Sequence, residues 1–244
     1  MNDVNLLFKC MKLSYADDLK LYNTIKNIQD AQMLQHDLEA FDSWCRINRM
    51  SLNVSKCSAI SFGRKHAMYR HEYSLQGTVL SRETVVEDLG VMLDSKLSFK
   101  DHAAYIVSKA SSQLGFLFRF AKNFINVHCL KALYCFLVRP ILEYSAVVWC
   151  PFYQDTIARI EAVQRKFVRF ALRQFPWRDS RNLSSYESRC KLIDLELLEA
   201  RRILAKACFV GDLLQGIIDC PLLLGLLDIN ARRRYFRSHT FLTT

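Results

Sequence analysis

The sequence predicts an α+β protein: a β-hairpin, a helix and a small antiparallel sheet, followed by an all-helical region. Three observations point there. Residues 7–22 alternate apolar and polar positions on either side of a four-residue break. Residues 72–93 hold short β-compatible runs punctuated by Gly77 and Gly90. From residue 99 onward apolar positions recur at helical spacing, and Pro140, Pro151, Pro176 and Pro221 fall at the breaks between the helical runs.

Taken in order, Leu13, Tyr15, Leu19 and Tyr22 suit a strand, and Ala16-Asp17-Asp18 suits a turn, since Asp readily bonds its own backbone. Residues 27–49 change to helical period, with Ile28, Leu38, Phe41 and Ile47 on one side, Asn27 as N-cap and Asp30 in the first turn. A short strand is expected at Cys57–Phe62. Then come Tyr73–Leu75, a Gln76-Gly77 turn, Val79-Leu80, and a strand Val85–Leu93 broken by Gly90. Helices are expected at 99–122, 126–139, 155–173 and 186–214. The chain therefore divides into two domains, 1–98 and 99–244.

Charge divides at the same place. Residues 1–98 carry 12 Lys/Arg and 12 Asp/Glu, whereas residues 99–244 carry 22 and 12, so the whole net charge of +10 lies in the helical region. A basic half beside a neutral half suits a polyanion, nucleic acid being the commonest, or is simply a solvated surface. The nine cysteines include no C-x-x-C pair, which argues against a zinc finger and for free, mostly buried thiols, as in the apolar settings of Cys135 and Cys208. No stretch of about 18–20 apolar residues is present, and the N-terminus lacks a basic-then-apolar leader. The expectation is an intracellular protein with no membrane partner.

Two adjacent aspartates in a turn are usually solvated, but their mutual repulsion also favours a hard divalent cation. On the helix at 155–173, Ile157, Ile160, Val163, Phe167 and Ala171 form an apolar stripe, and Arg159, Lys166, Arg169 and Arg173 fall on another arc. Such a face follows a phosphate backbone or is only the wet side of an amphipathic helix. Arg232, Arg233, Arg234 and Arg237 form a second basic cluster, read as a solvated tail.

Leu13–Tyr22, with Tyr15-Ala16-Asp17-Asp18 at its centre, resembles the YxDD hairpin of reverse transcriptases, and the segments downstream of it resemble the non-LTR retrotransposon type. Leu52, Asn53, Lys56 and Cys57 match an L-N-x-x-K-C/T segment. Asp88–His102 (DLGVMLDSKLSFKDH) matches a stretch that grips the primer, and Ile157–Phe170 matches an I-x-x-I/L-x-x-V/I-Q-R-R/K pattern through Gln164-Arg165. The resemblance implies a partial polymerase palm followed by a helical thumb and C-terminal region. It also implies Asp17 and Asp18 as Mg²⁺ ligands and Lys56 as donor of a proton to the departing pyrophosphate. Tyr15, Leu89, Gly90 and Arg165 would join the basic arc in contacting an RNA template and DNA primer, with dNTP as substrate.

Two-metal chemistry needs a further carboxylate on an upstream strand. Asn2-Asp3-Val4 resembles only the approach to the same hairpin, so Asp3 does not supply it. The expectation is a fragment without polymerase activity by itself, from a degenerate element or a reading frame begun at an internal Met. The alternatives are a non-catalytic nucleic-acid-binding module and a remnant.

Overall fold

In the computed structural model, residues 7–63, 70–121, 126–174 and 185–227 are described; Asn2-Asp3-Val4, Pro176 and the Arg232–Arg237 cluster lie outside them. The chain forms two compact units, Met1–Ile106 and Val107–Thr244.

In the first unit, β1 (Met11–Tyr15) pairs antiparallel with β2 (Asp18–Tyr22) through a two-residue turn. Helix α1 (Ile28–Ile47) starts as its sequence dictates: the Asn27 side chain accepts from Asp30 N–H, and the Asp30 carboxylate accepts from Asn27 N–H, a reciprocal capping box. The buried line of α1 is Ala31, Asp37, Asp42 and Cys45, so two carboxylates interrupt an otherwise apolar face, while Ile28 and Ile47 are exposed. Each buried carboxylate needs partners. Asp42 accepts from Arg46 and, at 2.8 Å, from Gln76 Nε2. Two turns earlier, Gln35 pairs with the Ser74 backbone like a short piece of strand, donating to its carbonyl at 3.0 Å and accepting its N–H at 2.9 Å.

Ser74 opens β4 (Ser74–Leu75), which pairs with β5 (Thr78–Val79). A short 3-10 turn, Val54–Lys56, leads into β3 (Ser58–Ile60), and β3 lies parallel to β6 (Ser81–Glu83). The expected single antiparallel sheet is therefore corrected. The strands form separate two-stranded ladders, one of them parallel. A parallel pair needs a long crossover, which the chain between β3 and β6 supplies. The expected strand Val85–Leu93 is instead a hairpin, β7 (Val85–Asp88) and β8 (Val91–Asp94), reversing at Leu89-Gly90. Gly90 is thus a turn residue and not a break within one strand. Gln76-Gly77 and Leu89-Gly90 both have positive φ at both central residues (52° and 74°, 46° and 80°), the pattern of a type I′ turn.

Asp94 ends β8 and starts the next helix, accepting from Lys96 N–H, Ser98 Oγ–H and Phe99 N–H at 2.7–3.2 Å. Burial raises its carboxyl pKa, but these hydrogen bonds outweigh burial and hold it below the usual carboxylate range. Helix α2 (Lys100–Phe120) comes next, and the division between the units falls within it.

The second unit is helical. Helices α3 (Val127–Leu137), α4 (Arg139–Glu143), α5 (Ala146–Trp149), α6 (Gln154–Gln174), α7 (Tyr186–Leu192), α8 (Leu198–Leu214) and α9 (Pro221–Gly225) succeed one another along the chain. Two expectations are corrected. Pro140 and Pro221 sit in the first turns of α4 and α9, where a missing N–H costs nothing, so they open helices rather than separate them. The run 186–214 is two helices, with a tight reversal at Ile193-Asp194 where Asp194 takes φ +53°. In the core Tyr134 stacks on Phe167 (4.2 Å between centroids) and Trp149 is fully buried; a second stack, Phe118 on Phe170 (4.2 Å), is half-buried. Burying one such aromatic contributes about 1.5–3 kcal/mol. Of the nine free cysteines only Cys10, Cys45 and Cys190 are buried, and Cys129 and Cys208 are exposed, which corrects the expectation for Cys208.

Candidate metal turn and nucleic-acid face

The β1–β2 register pairs Tyr15 with Asp18, so the turn consists of Ala16 and Asp17 alone. Ala16 takes φ +53°, a left-handed conformation that costs a residue with a Cβ about 1–2 kcal/mol. The tight turn thereby sets Asp17 at its tip and Asp18 at the first position of β2. Tyr15, Ala16, Asp17 and Asp18 are all exposed, and neither carboxylate bonds to a described residue. The outward face of β1, Met11, Leu13 and Tyr15, is 61%, 58% and 66% exposed, unusual for three apolar side chains in one row.

Cys10, just before β1, is buried beside Asp37; burial first, and then the carboxylate, pushes its thiol up to about 11, so it stays protonated. Lys20 of β2 forms an ion pair with Asp88, the residue ahead of the Leu89-Gly90 turn. The structure thus links the hairpin bearing Asp17 and Asp18 to the hairpin bearing Leu89 and Gly90. Leu89 is exposed at the tip. Behind that turn, the β8 backbone is anchored: Met92 N–H donates to His102 Nδ1 at 3.2 Å. Lys56 stands exposed at the end of its 3-10 turn, and no hydrogen bond or ion pair joins it to Asp17 or Asp18. Among the described residues no group of three or more His, Cys, Asp or Glu stands together in a metal-binding cluster.

On α6 the separation of faces is clean. Ile160, Val163, Phe167 and Ala171 are buried, and Arg159, Arg165, Lys166, Arg169 and Arg173 are all exposed. None of the five forms an ion pair with a described residue. At 1.5 Å rise per residue the row from Arg159 to Arg173 runs roughly 21 Å. Arg165 departs slightly from the row, lying over the Tyr186 ring at 4.8 Å. Its sequence neighbour Gln164 turns the opposite way and is fully buried. There it accepts from Tyr134 Oη (2.9 Å) and donates to Tyr186 Oη (3.1 Å) and the Glu196 carbonyl (2.8 Å). Tyr186 in turn donates to Glu161, and burial followed by that contact raises the Tyr186 pKa above its ordinary value. Gln164 therefore organises the core behind the basic face.

Lys20, Asp37 and Asp88 were not legible as site residues. A signal existed for two of them. Lys20 lies two residues beyond Asp18, hence on the same strand face, and Asp37 sits at i+4 from Met33 and i−4 from Phe41, a charge within an apolar stripe.

The chain is similar to three proteins of Drosophila melanogaster. One is the RNA-directed DNA polymerase from mobile element jockey (25% identical over 167 residues, 67% of this chain and 18% of that protein). The others are the probable RNA-directed DNA polymerases from transposon BS (25% over 166 residues, 66% and 18%) and from transposon X-element (24% over 170 residues, 68% and 19%). The chain spans less than a fifth of the length of these curated relatives. No family model matches it, and no solved structure does. The motifs and these similarities fall on one family, the reverse transcriptases of non-LTR retrotransposons.

Proposed function

We propose that this chain is part of an RNA-directed DNA polymerase in which the first unit contributes palm elements and the second holds nucleic acid. The observation that carries this reading is the two-residue turn that exposes Asp17 and Asp18, adjacent and without a partner among the described residues, at the end of a hairpin. Two carboxylates suit part of the oxygen shell of Mg²⁺, which requires hard ligands. When bound, such ions neutralise charge building up on the transferred phosphate. Two-metal chemistry calls for a further carboxylate, and among the described residues none stands grouped with Asp17 and Asp18.

The chain's own residues then have separate tasks. Asp17 and Asp18 present oxygens for the ion. Lys56, exposed and with three rotatable donors, supplies a proton to the leaving pyrophosphate of a dNTP. The Leu89-Gly90 turn approaches the primer strand, and Tyr15, on the exposed face of β1, lies against the same strand. Arg159, Arg165, Lys166, Arg169 and Arg173 hold phosphates of the RNA template and DNA primer. A second reading, a nucleic-acid-binding module without catalysis, is favoured by the same basic face, which owes nothing to the aspartates. The test is Mn²⁺ binding to the whole chain followed by electron paramagnetic resonance. Weak binding abolished in Asp17→Asn/Asp18→Asn is expected. Binding that is absent, or unchanged in that variant, would leave only the second reading.

A further inference from the structure

We propose that Asp37 and the Lys20–Asp88 ion pair are positioning groups for the Asp17-Asp18 turn; this deepens, and rests on, the metal reading of that turn. Apart from Phe8, which precedes β1 and packs on Phe41 of α1 (5.9 Å between centroids), the described residues give the hairpin little apolar anchorage. Among the described residues its ladder contains only β1 and β2, no residue of either strand is buried, and its apolar row Met11, Leu13 and Tyr15 faces outward. A lone two-stranded hairpin is marginal in water, so its orientation must come from groups outside it.

Two such groups meet it at different strands. At the start of β1, the fully buried Asp37 of α1 accepts the successive backbone N–H groups of Lys9 (2.9 Å) and Cys10 (2.7 Å), both on Oδ2. Hydrogen bonds to an ionised acceptor in a buried setting are among the stronger ones, and here they fix the backbone itself. On β2, Lys20 reaches Asp88, which directly precedes the Leu89-Gly90 turn. One tether thus sets the hairpin against α1, and the other sets the spacing between the aspartate turn and the turn assigned to the primer. A metal-bound phosphate and a primer end must meet within a fraction of an ångström, so that spacing has chemical consequence. Asp37 is buried and Lys20 is about a third exposed, so the Asp37 tether dominates.

Amide hydrogen exchange on the whole chain tests this. In Asp37→Ala, amides of 11–15 and 18–22 are expected to exchange about tenfold faster or more, the scale of a lost hydrogen bond to a charged group, while α1 and β4–β5 keep their protection. Asp37→Asn is expected to retain most protection, because one amide oxygen can accept both N–H groups. Lys20→Met is expected to loosen β2 and residues 88–91 together by about fivefold or less. Unchanged exchange of the hairpin in Asp37→Ala overturns the proposal. So does loss of α1 and β4–β5 protection with it, including outright unfolding, because Asp37 would then be a general core residue. Paramagnetic broadening by Mn²⁺ at residues 16–18 separates the two claims. Its absence in the unsubstituted chain refutes the metal reading and leaves the exchange result to decide positioning. Broadening that Asp37→Ala leaves unchanged overturns the positioning role.

Discussion

The two units use their charged groups in opposite ways. In the first, carboxylates turn inward and order the backbone: Asp37 holds Lys9 and Cys10, Asp42 holds the β4–β5 turn, and Asp94 holds the start of α2. In the second, stacked aromatics fill the interior and cations occupy the outer face of α6. A unit made of short ladders has little apolar area to bury and relies on directed polar contacts. On α6 the amphipathic helix buries its apolar stripe and leaves its outward cations free for a partner, while elsewhere in the unit Glu161 and Arg202 are buried. Unit one is accordingly sensitive to pH and to single polar changes, and unit two to cavities and to loss of the buried Gln164 hub.

The largest expected effect is in the helical core. Phe167→Ala removes the stacking partner of Tyr134 and should cost about 3–5 kcal/mol in denaturant unfolding, with hydrogen-exchange protection in α1 unchanged. Comparable loss in both units would dissolve the comparison. Gln164→Ala comes next, at about 1–3 kcal/mol, because it leaves the fully buried Tyr134 hydroxyl without its acceptor and removes the donor to Tyr186 Oη and the Glu196 carbonyl.

A smaller effect depends on pH. His102 is buried and its Nδ1 accepts from Met92 N–H; burial lowers its pKa below 6.5, only partly offset by Glu87. The neutral imidazole is the folded form, so its contribution is fully present above pH 6.5 and is lost as pH falls below that value toward the folded pKa. Melting at about pH 5.5 and about pH 7.5, on either side of that window, should show the loss, and His102→Asn should flatten it. The smallest effect on stability is on α6. Reversing Arg159, Lys166, Arg169 and Arg173 to Glu should change stability by about 0.5 kcal/mol or less per site. The same reversal should abolish salt-dependent binding of an RNA–DNA duplex, measured by fluorescence anisotropy, since each lost phosphate contact removes roughly 0.7–0.9 from the salt slope.

What could be read from the sequence was local. The Asn27 cap, the α6 stripe and the β1–β2 hairpin depend on residues a few positions apart, and each stands as expected. Two features set by left-handed residues other than glycine were missed, although the turns at Ala16 and Gln76 were expected. Leu89 at φ +46° hid the β7–β8 reversal and Asp194 at +53° hid the end of α7: Leu carries no signal for that conformation, and Asp, though enriched there, carries only a weak one. Asp37, Asp88 and Gln164 act through partners 28, 68 and 32 positions away at the widest, and no local period encodes such pairings. The candidate site was legible in the same measure: the exposure of the aspartate pair and of the basic arc follows from local pattern, and the buried contacts of Asp37 and Gln164 do not.

The central claim, that Asp17 and Asp18 hold a divalent ion against nucleic acid bound by this chain, is open to one direct measurement. Fe²⁺ replaces Mg²⁺, the chain is loaded with an end-labelled DNA primer on an RNA template, and hydroxyl radicals generated at the iron cut whatever lies beside it. Cutting confined to a few nucleotides at the primer 3′ end, lost in Asp17→Asn/Asp18→Asn, is the expected result. Cutting spread evenly along the duplex, or unchanged in that variant, would contradict it.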